Sequence, residues 1–177
     1  MTVILAGKDN KGCPYIGSDS QGSEITKGFK NEFGKKLIKI HNFIVGYTYS
    51  YRTAQLIEYN ANKFKKINTK QDVFNFLKIL KKLMVDDGQK KESESGRDVE
   101  NTVGLIIITK KNIYVVEGNY SFFEVEVASI GCGKELCLGA FTALDKEKDI
   151  VKKIEKSIEI AKKYDAFVGG KIYIETI

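Results

Sequence analysis

Met1-Thr2-Val3-Ile4-Leu5-Ala6 opens the sequence, and Cys13-Pro14-Tyr15-Ile16-Gly17-Ser18-Asp19-Ser20 follows it after the polar stretch Gly7-Lys8-Asp9-Asn10-Lys11-Gly12. Residues 2–6 are β-rich and residues 7–12 have turn composition. Residues 13–18 form a second short strand, with the only proline near its start. The pattern predicts a β-hairpin with a long loop. No charged segment precedes the apolar run, so it reads as a strand and not as a secretory leader.

The next apolar stretches, Leu37-Ile38-Lys39-Ile40 and Phe43-Ile44-Val45-Gly46-Tyr47, are separated by His41-Asn42, which suits a two-residue turn. The period then changes. Between Thr53 and Phe64, apolar or small residues fall at Ala54, Ile57, Ala61 and Phe64, which is helical spacing. Thr69-Lys70-Gln71-Asp72 has the form of a capping box, with Asp in place of Glu or Gln, ahead of a second helical run from Val73 to Met84. Residues 86–98 are polar and charged and are expected to form a mobile loop. Strands are expected again at 103–108, 113–116 and 122–127, helices at 136–144 and 149–164, and a last strand at 171–174.

Strand blocks and helix blocks therefore alternate as groups and not one by one, which argues against a parallel, doubly wound sheet. The order fits an α+β, four-layer αββα sandwich: two antiparallel sheets flanked by helix pairs. With 177 residues and neither repeat nor linker, residues 1–177 are expected to be one domain.

Composition narrows the function. The net charge is +6, but the lysines fall mostly in short pairs such as Lys65-Lys66 and Lys81-Lys82, without a basic run interleaved with aromatics. Nucleic acid is therefore not the expected partner. Three cysteines without metal spacing and a single histidine, His41, exclude a multi-histidine metal site. The simplest reading is reduced thiols in the cytoplasm. No apolar run approaches the length of a membrane-spanning helix.

Four segments carry a resemblance that runs nearly end to end. They are Ile16-Gly17-Ser18-Asp19-Ser20, Lys35-Lys36-Leu37-Ile38-Lys39-Ile40, Ile130-Gly131-Cys132-Gly133 with Leu138-Gly139-Ala140, and Tyr164-Asp165-Ala166-Phe167-Val168-Gly169-Gly170. Each is weak alone. Together, in this order and with a threonine at position 2, they resemble the proteasome β-type subunits and the bacterial HslV and Anbu peptidases.

The resemblance implies an N-terminal-nucleophile hydrolase fold with Thr2 as nucleophile once Met1 is removed. An N-terminal threonine combines a hydroxyl nucleophile with an α-amine that titrates near about 7.7–8.0, so it carries its own base at neutral pH. It further implies that Lys36 stands beside the hydroxyl and that Asp19 holds Lys36. The Asp19–Lys36 spacing is one longer than is usual in the family. Lys35 would keep the spacing, but Lys36 directly precedes the apolar strand. Cys132 and Asp165 take the places of a family serine and aspartate near the N-terminal residue, and an oxyanion amide is expected near Tyr49-Ser50-Tyr51, at Ser50. Tyr47 and Thr48 would lie near the first specificity pocket.

The implied activity is that of a threonine endopeptidase. It would need no metal or cofactor, would work as a homo-oligomeric ring on unfolded polypeptides or peptides, and would be served by an unfoldase ATPase. The chain departs from the family pattern at Ser50 in a Gly-rich turn, at Cys132 and at Val168. These departures keep open a catalytically inactive structural subunit that retains Met1, and more distantly a small-molecule amidohydrolase.

Overall fold

Val3, Ile4, Leu5 and Ala6 are all fully buried, which a strand achieves only when both of its faces are covered. The computed structural model describes residues 2–24, 29–32, 34–48, 50–88 and 104–177. In chain order the elements are β1 (Val3–Lys8), β2 (Pro14–Ser18), β3 (Gln21–Glu24), β4 (Phe29–Glu32), β5 (Leu37–Ile40), β6 (Phe43–Thr48), α1 (Tyr51–Tyr59), α2 (Lys70–Asp86), β7 (Gly104–Thr109), β8 (Ile113–Val116), β9 (Phe122–Val125), β10 (Val127–Gly131), α3 (Lys134–Ala143), α4 (Ile150–Tyr164) and β11 (Tyr173–Thr176).

Among the described residues the strands form a four-stranded sheet in the order β10-β1-β2-β11, a five-stranded sheet in the order β5-β6-β7-β8-β9, and a separate β3-β4 pair. All pairings are antiparallel. Side-chain alternation along the strands feeds three distinct cores. Ile4, Ala6 and Ile16 of one sheet meet Ile44, Ile106 and Ile108 of the other. Val3 and Leu5 point the opposite way, onto Phe141 of α3 and Ile154 and Ile158 of α4. Phe43, Val45, Leu105 and Ile107 pack beneath Val73, Phe76 and Leu80 of α2. Three cores in series make four layers, helices–sheet–sheet–helices, as expected from the sequence. Each fully buried Ile, Leu or Phe contributes about 1.5–3 kcal/mol.

Thr69 and Asp72 form the expected capping box, with both reciprocal bonds present. His41 takes the left-handed conformation (φ 48°) in the β5–β6 turn.

Several expectations are corrected. The first helix starts earlier, at Tyr51, because the Ser50 hydroxyl accepts the Thr53 N–H (3.3 Å). It also ends earlier, where Asn60 Nδ2 donates to the Leu56 carbonyl (2.9 Å). Phe64 is therefore not helical but extended, after a short 3-10 turn, and is still buried. Residues 122–127 are not one strand. The chain breaks at Glu126, and β9 and β10 belong to different sheets. The β3-β4 pair was not expected, because Gln21-Gly22-Ser23-Glu24 has no apolar alternation. The last strand is β11, at Tyr173–Thr176, two residues later than expected. Most of the expected loop at 86–98 lies outside the described residues.

Candidate active site

The β1-β2 register pairs Ile4 with Ser18, so one step further the chain brings Asp19 beside Val3. The Asp19 N–H donates to the Val3 carbonyl (3.3 Å), and the Val3 N–H donates to Asp19 Oδ1 (3.1 Å). Thr2 thus lies at the end of β1 with its hydroxyl on the Asp19 carboxylate, to which it donates. Lys36 arrives from the other sheet, immediately before β5. Its carbonyl is fixed by the Tyr47 N–H (3.2 Å). Lys36 Nζ donates to Thr2 Oγ1 (2.6 Å), Asp19 Oδ1 (2.7 Å) and the Gln21 carbonyl (2.6 Å). These three acceptors match the three N–H bonds of an ammonium.

The Asp19–Lys36 pair is withdrawn from water, with side chains 0% and 4% exposed. Burial holds the Lys36 amine below its ordinary value, against the opposing pull of the Asp19 charge. Asp19 is satisfied at both oxygens, since Oδ2 accepts the Gly169 N–H (3.1 Å). Buried polar atoms are costly unless hydrogen-bonded, and both carboxylate oxygens here have partners. The geometry also separates the two adjacent lysines: Lys35 is exposed and pairs with Glu175 (2.5 Å).

Cys132 and Asp165 lie on the carbonyl side of Thr2. Gly131 has φ 100°, and a Cβ there would stand 2.1 Å from the Thr2 carbonyl oxygen, so the close approach requires glycine. Next to it, Cys132 Sγ donates to the same oxygen (3.3 Å). Burial, followed by the neighbouring Asp165 charge, pushes the Cys132 thiol up, so it is a neutral donor at physiological pH. Asp165 caps the end of α4 and accepts the Phe167 N–H (2.8 Å). Neither residue has a described bond to the Thr2 hydroxyl.

In this conformation the Ser50 N–H is engaged by the Thr48 carbonyl (3.1 Å). Tyr49 and Met1 lie outside the described residues. Tyr47 is in the core beneath α1 and α2, edge-on to Tyr51 at 6.2 Å. Thr48 is buried as well, with Oγ1 donating to the Gly104 carbonyl (3.2 Å). Val168 is buried in the α3–α4 core.

Two groups at the site were not singled out from the sequence: the Gln21 carbonyl on Lys36 and the Gly169 amide on Asp19. Backbone groups leave no mark in side-chain pattern. Among the described residues no cluster of three or more His, Cys, Asp or Glu could hold a metal, and no helix is long and apolar enough to cross a membrane.

No protein-family model matches this sequence, and no curated protein does. Solved structures do match. Thiobacillus denitrificans BPH superposes with a TM-score of 0.76 at 19% identity, over 100% of this chain and 97% of that one. BPH in complex with epoxomicin gives 0.77 at 18%, over 100% and 98%. Eukaryotic HslV from Trypanosoma brucei gives 0.69 at 21%, over 98% of each chain. These likenesses establish the fold: this chain has the α+β, four-layer architecture of the N-terminal-nucleophile hydrolases.

Proposed function

We propose that this protein is an N-terminal-threonine peptidase whose activity is gated by removal of Met1. One observation carries the reading: the Thr2 hydroxyl lies 2.6 Å from a buried ammonium, Lys36, that Asp19 holds in place. A surface threonine needs no such partners, and burying an ion pair costs several kcal/mol of desolvation that only close geometry and further hydrogen bonds offset, so a pair built around one hydroxyl supports a role for that hydroxyl.

With Met1 attached, the Thr2 nitrogen is an amide and no base. Once Met1 is gone, the α-amine accepts the hydroxyl proton as Thr2 Oγ1 attacks the scissile carbonyl carbon. Lys36 stabilises the negative charge that develops on Oγ1. The tetrahedral adduct collapses, the C–N bond breaks, and the proton passes from the α-amine to the departing amine, leaving an ester on Thr2. Water, deprotonated by the same amine, cleaves the ester and restores the hydroxyl. Tying nucleophile and base to one residue removes most of the orientational cost. Cys132, with Asp165 behind it, orients Thr2 through its carbonyl. The Ser50 amide serves the oxyanion after turning from Thr48.

By analogy with the HslV-like neighbour, the substrate is an unfolded polypeptide or peptide, the assembly is a homo-oligomeric ring in the cytoplasm, and an unfoldase ATPase delivers the substrate. A second reading has an observation of its own. Thr2 is only 2% exposed and the Ser50 amide is occupied, which suits a structural subunit that keeps Met1. The test is hydrolysis of a panel of fluorogenic peptides by protein released from a cleavable tag so that Thr2 is terminal. Turnover that Thr2→Ala abolishes supports the peptidase; no turnover by an assembled, Met1-free protein supports the structural subunit.

A further inference from the structure

The β2–β3 junction is tied to the Asp165–Lys171 loop by five hydrogen bonds, all within three residues of each segment's centre. Gly169 N–H donates to Asp19 Oδ2 (3.1 Å), and the Gly169 carbonyl accepts both Ser20 N–H (3.2 Å) and Gln21 N–H (3.0 Å). Lys171 N–H donates to Ser20 Oγ (2.7 Å), and Gln21 Nε2 donates to the Ala166 carbonyl (3.1 Å). A Cβ at Gly169 would stand 2.1 Å from Gln21 Oε1 and displace that side chain, and Gly170, at φ 74°, would place one 2.2 Å from Ser20 Oγ.

Gln21 differs from the other members of this latch. Its own carbonyl is the third acceptor of Lys36 Nζ, at 2.6 Å, while its side chain reaches across to the loop that begins at Asp165. One residue therefore joins the ammonium on the hydroxyl side of Thr2 to the loop on its carbonyl side. Gln21 is also where the separate β3-β4 pair begins, opposite Glu32. Its backbone N–H is held by the Gly169 carbonyl, and the side-chain bond to Ala166 adds a second tie to the same loop.

We infer that Gln21 is a positioning residue for Lys36: its side-chain amide anchors it to the Ala166 carbonyl and so keeps its own carbonyl oxygen on the Lys36 ammonium. The role rests on the reading of Thr2 as nucleophile, and it acts on Lys36 alone. An ammonium that loses a fixed acceptor loses stabilisation of its charged form, so it gives up its proton at lower pH.

Two variants separate this from a purely structural role. Gln21→Met keeps the reach of the side chain without its donor, and Gln21→Ala removes both. In each, with the chain beginning at Thr2, the first readout is the pH profile of adduct formation with a threonine-directed epoxyketone. We expect the neutral-pH rate to fall roughly tenfold or more, as misplacement of a catalytic group does, and the alkaline limb to move to lower pH. The second readout needs no activity: NMR titration of the 13C-labelled Lys36 ε-carbon, which should report a lower titration midpoint in both variants. An unchanged Lys36 titration in folded Gln21→Met overturns the inference. If Lys36 shifts as expected but the wild-type chain forms no adduct, it is the nucleophile reading that fails.

Discussion

Thr2 Oγ1 and Lys36 Nζ lie 2.6 Å apart although they are 34 positions apart in sequence and enter from different sheets. Thr2 leads into β1 of the four-stranded sheet and Lys36 into β5 of the five-stranded one. The site is therefore a product of the inter-sheet core, where Ile4 and Ile16 of one sheet pack with Ile44 of the other.

Removing the lysine should cost both stability and reactivity. Lys36→Ala strands the Asp19 carboxylate, which is fully buried, and is expected to destabilise the fold by about 3–5 kcal/mol. Lys36→Met combined with Asp19→Asn removes both charges and should recover much of that loss without restoring Thr2 reactivity. Urea unfolding reads the first effect, and covalent labelling of Thr2 the second. Equal stability of Lys36→Ala and wild type would mean the pair is not buried as described.

The lowered Lys36 value sets a pH dependence with a definite sign. Between that folded value and the ordinary lysine value of about 10.4, the unfolded chain binds the proton and the folded chain does not, so this group's contribution to stability rises with pH across the window. Reactivity runs the other way. It needs the ammonium, so it should fall on the alkaline side below pH 10.4. The rate of Thr2 labelling measured from pH 6 to 11 checks this, and a rate still level at pH 10.4 would contradict it.

The three thiols should separate by reactivity. Cys13 is exposed, Cys132 is half-buried with its thiol pushed up, and burial pushes Cys137 up to about 12. Because the thiolate is the reactive form, alkylation at neutral pH followed by mass spectrometry should modify Cys13 first, Cys132 far more slowly and Cys137 only on unfolding. Cys132 reacting as fast as Cys13 would overturn the account of its surroundings.

Two glycine substitutions should act in opposite directions. Gly131→Ala forces a side chain into a positive-φ position against the Thr2 carbonyl and is expected to cost about 1–3 kcal/mol, with loss of Thr2 labelling. Gly139→Ala, inside α3 with nothing near its Cβ position, should gain about 0.5–1 kcal/mol and leave labelling unchanged. Thermal unfolding of the pair reads both signs.

Much of this was legible in the sequence where the physics is local. Runs such as Val3–Ala6 and Phe43–Tyr47 carry apolar residues on both faces because both faces are covered, and the Thr69–Asp72 box announces α2 in four residues. Thr2, Asp19 and Lys36 could be named from motif resemblance, and the structure brings all three together. What escaped depends on partners distant in sequence. Alternation along Phe122–Val127 is the same whether one sheet or two receives it, so the break at Glu126 was invisible. The β3-β4 pair is polar and has no periodic signature. The two carbonyl and amide groups that finish the site, at Gln21 and Gly169, belong to the backbone, which every residue carries alike.

The most direct test of the central claim is the intact mass of Met1-free protein before and after exposure to a threonine-directed epoxyketone, alongside Thr2→Ala. The account predicts one adduct per chain on the wild type and none on the variant. An assembled, Met1-free wild type that forms no adduct would contradict it, leaving Asp19 and Lys36 as a structural ion pair.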